Sequence, residues 1–226
     1  MKKAVIILIF FLLIFGSCDF RSSSYYNAEA EKLEAEGKYT EAVVFLDKAI
    51  EKNPVNIYAL INRGVDKSLL EDYSGAIADY SRIIEIDGDN TLAYLNRGKN
   101  KKRVGDYKGA IKDFDEAIRT KGAEFLWSDK EENPLVDTGF EFDVPMEEIR
   151  FERGLARYKV DSLKTAFDDF TFCIQRNYEL ATSHYMVGII HISYGKFDKA
   201  CNALAKSKEY GDLDAQVMID KYCRNK

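Results

Sequence analysis

The chain has 226 residues, with 33 Lys and Arg against 38 Asp and Glu and a formal net charge of −5. Hydrophobic residues make up 46% and aromatics 13%, ample for a packed interior, so disorder is excluded as the default. An acidic balance gives little electrostatic reason to hold nucleic acid, and no nucleic-acid partner is expected.

The amino end differs from everything after it. Lys2 and Lys3 precede an apolar run from Ala4 to Phe15, followed by Gly16, Ser17 and Cys18. A basic start, a short apolar stretch and small residues before a cleavage point mark an export signal rather than a spanning helix. The Gly-Ser-Cys ending resembles a bacterial lipoprotein signal, which implies acylation of Cys18 as the first mature residue. A plain secretory peptide is the alternative. Residues 1–17 are then the signal peptide and 18–23 the tether, and losing Lys2 and Lys3 takes the net charge from −5 to −7. A tether from Asp19 to Ser23 spans at most ~18 Å at ~3.3–3.6 Å per residue, which would hold the first folded unit near the lipid. The expected location is the bacterial cell envelope, at the outer membrane or the periplasmic face of the inner one.

From residue 23 onward the sequence repeats. The first unit pairs a helix at about 24–36 with one at about 39–52, and Ser22 to Ser24 offer a cap for its start. The second unit runs 57–70 and 73–86, the third 91–104 and 107–121. Ala42, Ala76 and Ala110 recur at steps of 34 residues, and Ala30, Gly64 and Gly98 track them in the preceding helix. Gly154 with Ala166 and Gly188 with Ala200 keep the same internal spacing further on. The fourth unit spans 146–160 and 163–176, the fifth 181–194 and 197–210. Gly211 ends the last helix, and a capping helix is expected at 213–224, with Leu213, Val217 and Met218 as its apolar face.

This period, with Tyr39, Tyr73 and Tyr107 at the turn and Pro54 closing the first unit, resembles the tetratricopeptide repeat (TPR). The resemblance implies an all-α fold: a right-handed superhelical solenoid of five helix pairs plus a C-terminal capping helix. Its units are 23–56, 57–90, 91–124, 147–180 and 181–214, within a domain covering 24–226. One helix pair buries only one face, so neighbours must cover the other. The small residues Ala30, Gly64, Gly98, Gly154 and Gly188 let the two helices of each unit approach closely.

The middle units carry a charged pair that the end units lack. Arg63, Arg97 and Arg153 each precede the notch glycine, and Asp79, Asp113 and Asp169 lie sixteen residues later. The first unit has Glu29 and Phe45 at these places and the fifth has Val187 and Ala203, so the charges appear together or not at all. Lys67, Lys101 and Arg157 add a basic residue one turn after each arginine. The expectation is a structural ion pair tying the first helix to the second.

Between the third and fourth units, residues 125–146 interrupt the period. They contain the only tryptophan, Trp127, two of the three prolines, and six acids against one lysine. The segment is either an elaborated connection or a lid that grips a partner. Beyond Cys18 three cysteines remain, and in an oxidising compartment Cys201 and Cys223 are the best candidates for a bridge; Cys173 and Cys201 also read as small buried hydrophobes. His184 and His191 are seven residues apart, not the i, i+4 pair of metalloenzymes, and read as structural. No cofactor, metal or catalytic constellation is legible, so no enzyme activity is expected.

The TPR resemblance implies a concave groove, lined by first helices, that grips a peptide or helix of a partner protein. Tyr58, Ile61 and Asn62 would line it in the second unit, and Leu92, Leu95, Asn96, Lys99, Lys102 and Arg103 in the third. Phe151, Leu155 and Tyr158 continue it in the fourth unit, and Tyr185 and Ile189 in the fifth. This predicts an apolar and aromatic trough with one basic patch. Among TPR proteins that clamp a terminal carboxylate, lysine is expected where Asn27 stands and asparagine where Glu31 stands; only Asn62 fits. The function expected is a membrane-anchored interaction adaptor in envelope assembly or secretion. The alternative is a non-catalytic glycan- or cell-wall-handling accessory in which Trp127 and the groove tyrosines stack on sugar.

Overall fold

A computed structural model describes residues 20–124 and 144–223. Cys18, the export signal and most of the insertion, Trp127 included, lie outside the described residues. Eleven helices and no strand occur among those described. They are α1 (Ser23–Ala35), α2 (Tyr39–Lys52), α3 (Ile57–Leu69), α4 (Tyr73–Ile86), α5 (Thr91–Arg103) and α6 (Tyr107–Glu124), then α7 (Met146–Lys159), α8 (Leu163–Gln175), α9 (Leu180–Ser193), α10 (Phe197–Glu209) and α11 (Asp214–Tyr222). Each helix packs on its neighbours in sequence, which is the contact order of a solenoid.

Local chemistry sets the boundaries. Ser22, Asn56, Asp72 and Asn90 each accept a hydrogen bond from a backbone N–H three residues on, capping α1, α3, α4 and α5. The turn inside each unit needs one residue in the left-handed region. Gly37, Gly105 and Gly195 fill it in three units, while Glu71 and Asp161 adopt it in the second and fourth with φ of 63° and 59°. Pro145 forms the N-cap of α7.

The core runs along the stack. Tyr26, Leu46, Leu60, Tyr80, Phe114, Ile149, Phe170, Ile190 and Leu204 are almost wholly buried, and each such side chain contributes about 1.5–3 kcal/mol relative to exposure. The notch residues do close the units. A Cβ on Gly64 would stand 2.8 Å from the Tyr80 ring, and one on Gly188 would stand 2.8 Å from Leu204. The insertion leaves the stack unbroken: α6 packs on α7, and Val144, 2% exposed, joins Leu95, Phe114 and Ile149 in one buried cluster.

Two expectations for the carboxyl end are corrected. The last helix begins at Asp214, and Leu213 and Val217 are 87% and 65% exposed rather than covering the final unit. Ala215 is its buried residue, and a Cys201–Cys223 disulfide together with a Phe197–Tyr222 ring stack holds it down, turning the Val217 edge outward. The bridge joins the two cysteines favoured for it, so Cys201 is not a free buried thiol, and Cys173 is the free buried cysteine among the described residues.

Candidate partner-binding groove

The three arginines of the middle units build the frame on which the groove rests. Arg97 donates through Nε and Nη2 to Asp113 at 2.9 and 2.7 Å. Arg63 grips Asp79 and Arg153 grips Asp169 through the same two nitrogens. Lys67, Lys101 and Arg157 hold the same carboxylates at 2.9, 2.8 and 2.9 Å. Each aspartate, 1–3% exposed, thus faces two cations, the condition under which burying a charge is tolerable.

The remaining nitrogen of each arginine does something the sequence pattern did not announce. Arg63 Nη1 reaches Asp47 at 2.7 Å, Arg97 Nη1 reaches Ser81 Oγ at 3.2 Å, and Arg153 Nη1 reaches Asp115 at 2.7 Å. All three acceptors lie on the second helix of the preceding unit, at steps of 34 residues. One guanidinium therefore ties its own unit together and staples it to the unit before. Lockstep spacing was the available signal: the separation is 16 residues for Asp47 and Ser81, and 38 for Asp115 because the insertion intervenes.

The first helices carry the groove residues, but they are not all available to a partner. Ile61 and Leu95, expected on the wall, are 7% and 2% exposed and belong to the interior clusters between units. Leu92 is partly buried against both clusters. Tyr58 is half-buried, its hydroxyl donating to Glu31 of the preceding unit. Asn62 and Asn96 are half-buried, and the Asn96 carbonyl accepts from Asn100 Nδ2 at 2.9 Å.

The expected basic patch is corrected as well. Lys99 is bonded to Glu148 and Lys102 to Glu152, both on α7, so those charges are neutralised within the chain. Arg103 is left as the exposed cation of that stretch. These contacts follow a register that the insertion hides. Tyr58 and Glu31 are 27 residues apart, and Glu148 and Lys99 are 49 apart across the 22 extra residues.

Aromatic surface gathers toward the carboxyl end. Phe151, Leu155, Tyr158 and Tyr185 are half-buried side chains resting on the cluster built from Phe170, Met186, Val187 and Ile190. Phe151 meets Phe170 and Tyr178 edge-on, at ring distances of 6.1 and 5.8 Å. Ile189 is half-buried beside them. His184 is buried and stacks on Tyr210, and burial followed by the nearby Lys206 charge holds its pKa below the ordinary value. His191 lies against Phe167 at 5.2 Å. No cluster of three acidic, histidine or cysteine ligands occurs among the described residues, and burial pushes the Cys173 thiol up to about 12, which makes it a poor nucleophile.

This architecture is that of the TPR proteins: stacked helix pairs whose first helices share one face. Solved structures with this fold include MamA from Desulfovibrio magneticus RS-1, with a TM-score of 0.68 and 14% identity over 83% of this chain and 93% of that one. YrrB, described as a TPR protein with an unusual peptide-binding site, superposes with a TM-score of 0.68 and 18% identity over 87% and 90%. The thermophilic TPR protein TTC0263 from Thermus thermophilus gives 0.52 and 16% over 89% and 98%. No protein-family model matches the sequence, and no curated protein is similar to it.

Proposed function

We propose that this chain is a non-catalytic, membrane-anchored adaptor whose concave groove binds a peptide or helix of another envelope protein. The observation that carries the reading is the open aromatic surface of the fourth and fifth units. Phe151, Tyr158 and Tyr185 are half-buried on the first helices of these units, resting on the cluster built from Phe170, Met186, Val187 and Ile190 while keeping part of each ring open. Half-buried tyrosines on a rigid frame offer large contact area at low entropic cost, the property that makes aromatics effective anchors in interfaces. YrrB, a protein of the same fold, is described as having an unusual peptide-binding site, which supports the reading.

Anchoring comes from Cys18 under the lipoprotein reading of the amino end, and the role in assembly or secretion follows from that location. Among the described residues no helix is long and apolar enough to cross a membrane. The second reading, a glycan- or cell-wall-handling accessory, rests on the same tyrosines acting with Trp127.

Pull-down from detergent-solubilised membranes separates the two. A Tyr158→Ala/Tyr185→Ala variant that retains its helical spectrum should lose a protein partner that the wild type captures. Unchanged capture by that variant would reject the aromatic wall as the binding surface. Quenching of Trp127 fluorescence by cell-wall sugars, with no protein captured, would favour the accessory reading.

A further inference from the structure

The seam between α1 and α3 contains an arrangement that neither the ion-pair frame nor the groove accounts for. Asp66 on α3 is 2% exposed, and its Oδ2 is buried without a hydrogen-bond partner. Glu34 Oε1 on α1 is buried and unpartnered too, and the two carboxyls lie within hydrogen-bonding reach of each other. The cations that could have neutralised them are committed elsewhere: Arg63 and Lys67, on the same helix as Asp66, hold Asp79. Asp47 of α2 is bonded to Arg63. Also facing the pair are Glu31 of α1, Tyr58 of α3 and Tyr80 of α4, all of them acidic or neutral.

The next seam shows what this one needs. Ser68 and Asn100 stand one 34-residue step beyond Glu34 and Asp66, and Ser68 Oγ donates to Asn100 Oδ1 at 2.9 Å. That contact has a donor of its own. Two ionised carboxylates offer acceptors only, and like charges out of water repel, so the equivalent contact closes only if one carboxyl keeps its proton.

We propose that Glu34 and Asp66 share one proton near neutral pH, and that this proton fastens the first unit to the second. Losing it leaves two desolvated negative charges face to face, and α1 loosens from the stack. Burial first, and then the Glu34 charge, raise Asp66 to about 7, while burial and Glu31 raise Glu34. The folded state therefore binds more protons than the unfolded chain above the ordinary value of 3.8. The stabilisation is complete below that value and is lost as pH rises through about 7. The first unit carries the tether, so the latch would act where the array meets its anchor.

The test uses the full chain and an Asp66→Asn variant, which installs the neutral residue found at Asn100. Hydrogen exchange of α1, corrected for intrinsic rates, should lose ~10-fold protection in the wild type between about pH 6 and pH 8, the change expected as a group raised to about 7 gives up its proton across that window. The variant should show a flat profile. His184 and His191 lie in the last unit, so their titration moves α9 and leaves α1 untouched. Carbon-13 NMR of the wild-type side-chain carboxyls gives a second readout that needs no variant: one of the pair should titrate near 7. Both carboxyls titrating in the ordinary carboxylate range, or an Asp66→Asn profile as steep as the wild type, would overturn the proposal.

Discussion

Gly98 and Phe114 meet so closely that a Cβ on the glycine would stand 2.6 Å from the ring carbon Cε1. Phe114 is fully buried and cannot swing away, so the missing side chain at position 98 sets how near α5 and α6 can lie. Gly98→Leu should cost about 1–3 kcal/mol through overpacking, with the helices of the third unit splayed. Chemical denaturation of the variant checks this, and an unchanged midpoint would contradict the placement.

The charged frame predicts a large asymmetry between single and multiple replacements. Asp113→Ala leaves Arg97 and Lys101 facing each other with no anion, which should cost about 3–5 kcal/mol. Replacing Arg97, Lys101 and Asp113 together with apolar residues should cost much less. A double-mutant cycle on Arg97 and Asp113 reads the coupling directly, and a value near zero would remove the pair from the list of structural bonds.

Glu71 occupies a backbone conformation that three other units reserve for glycine, with φ of 63°. Glu71→Gly relieves that strain but gives the unfolded chain greater freedom. A net gain of up to about 1 kcal/mol is expected, because a left-handed residue with a Cβ costs ~1–2 kcal/mol. Thermal unfolding measured side by side with the wild type decides the sign.

Reducing the Cys201–Cys223 bridge should release α11 and little else. At nine residues, with one buried side chain, this helix is too short to persist alone. Closing a loop of 22 residues removes roughly 3 kcal/mol of freedom from the unfolded segment. Limited proteolysis with mass spectrometry should show cuts within residues 214–222 only when reductant is present, while α9 and α10 stay intact.

The carboxyl end responds to acid in the opposite sense to the proposed proton latch. Burial and Lys206 lower the pKa of His184, so the unfolded chain takes up its proton first. Stability from the neutral ring is present above the ordinary value of 6.5 and falls as pH drops through the folded value. Exchange protection of α9 should decline on acidification from pH 7 to about 5, and His184→Phe, which keeps a ring against Tyr210, should flatten the decline.

How much was readable beforehand differs between frame and groove. The notch residues and the Arg–Asp partners were legible because a repeat exposes its own rules: a pair that appears together in three units and vanishes together in two announces contact. Helix bounds followed from the same period to within a residue or so, except at α6, which continues to Glu124. The groove was less legible. Helical spacing places Ile61, Leu95, Lys99 and Tyr185 on comparable faces, yet the first two are swallowed by the neighbouring unit and the third is neutralised by Glu148.

From the chain alone came the period, the helix pairs, the close approach at each glycine and the ion pairs inside units, since all of these depend on residues at short, fixed separations. Which side chains stay open to a partner was decided only when one unit stacked on another. So was the second task of each arginine, the quenching of Lys99 and Lys102 across the insertion, and the meeting of Glu34 with Asp66. The physical reason is that spacing along a helix assigns a residue to a face, whereas exposure and net charge depend on what the adjacent turn of the superhelix brings against that face.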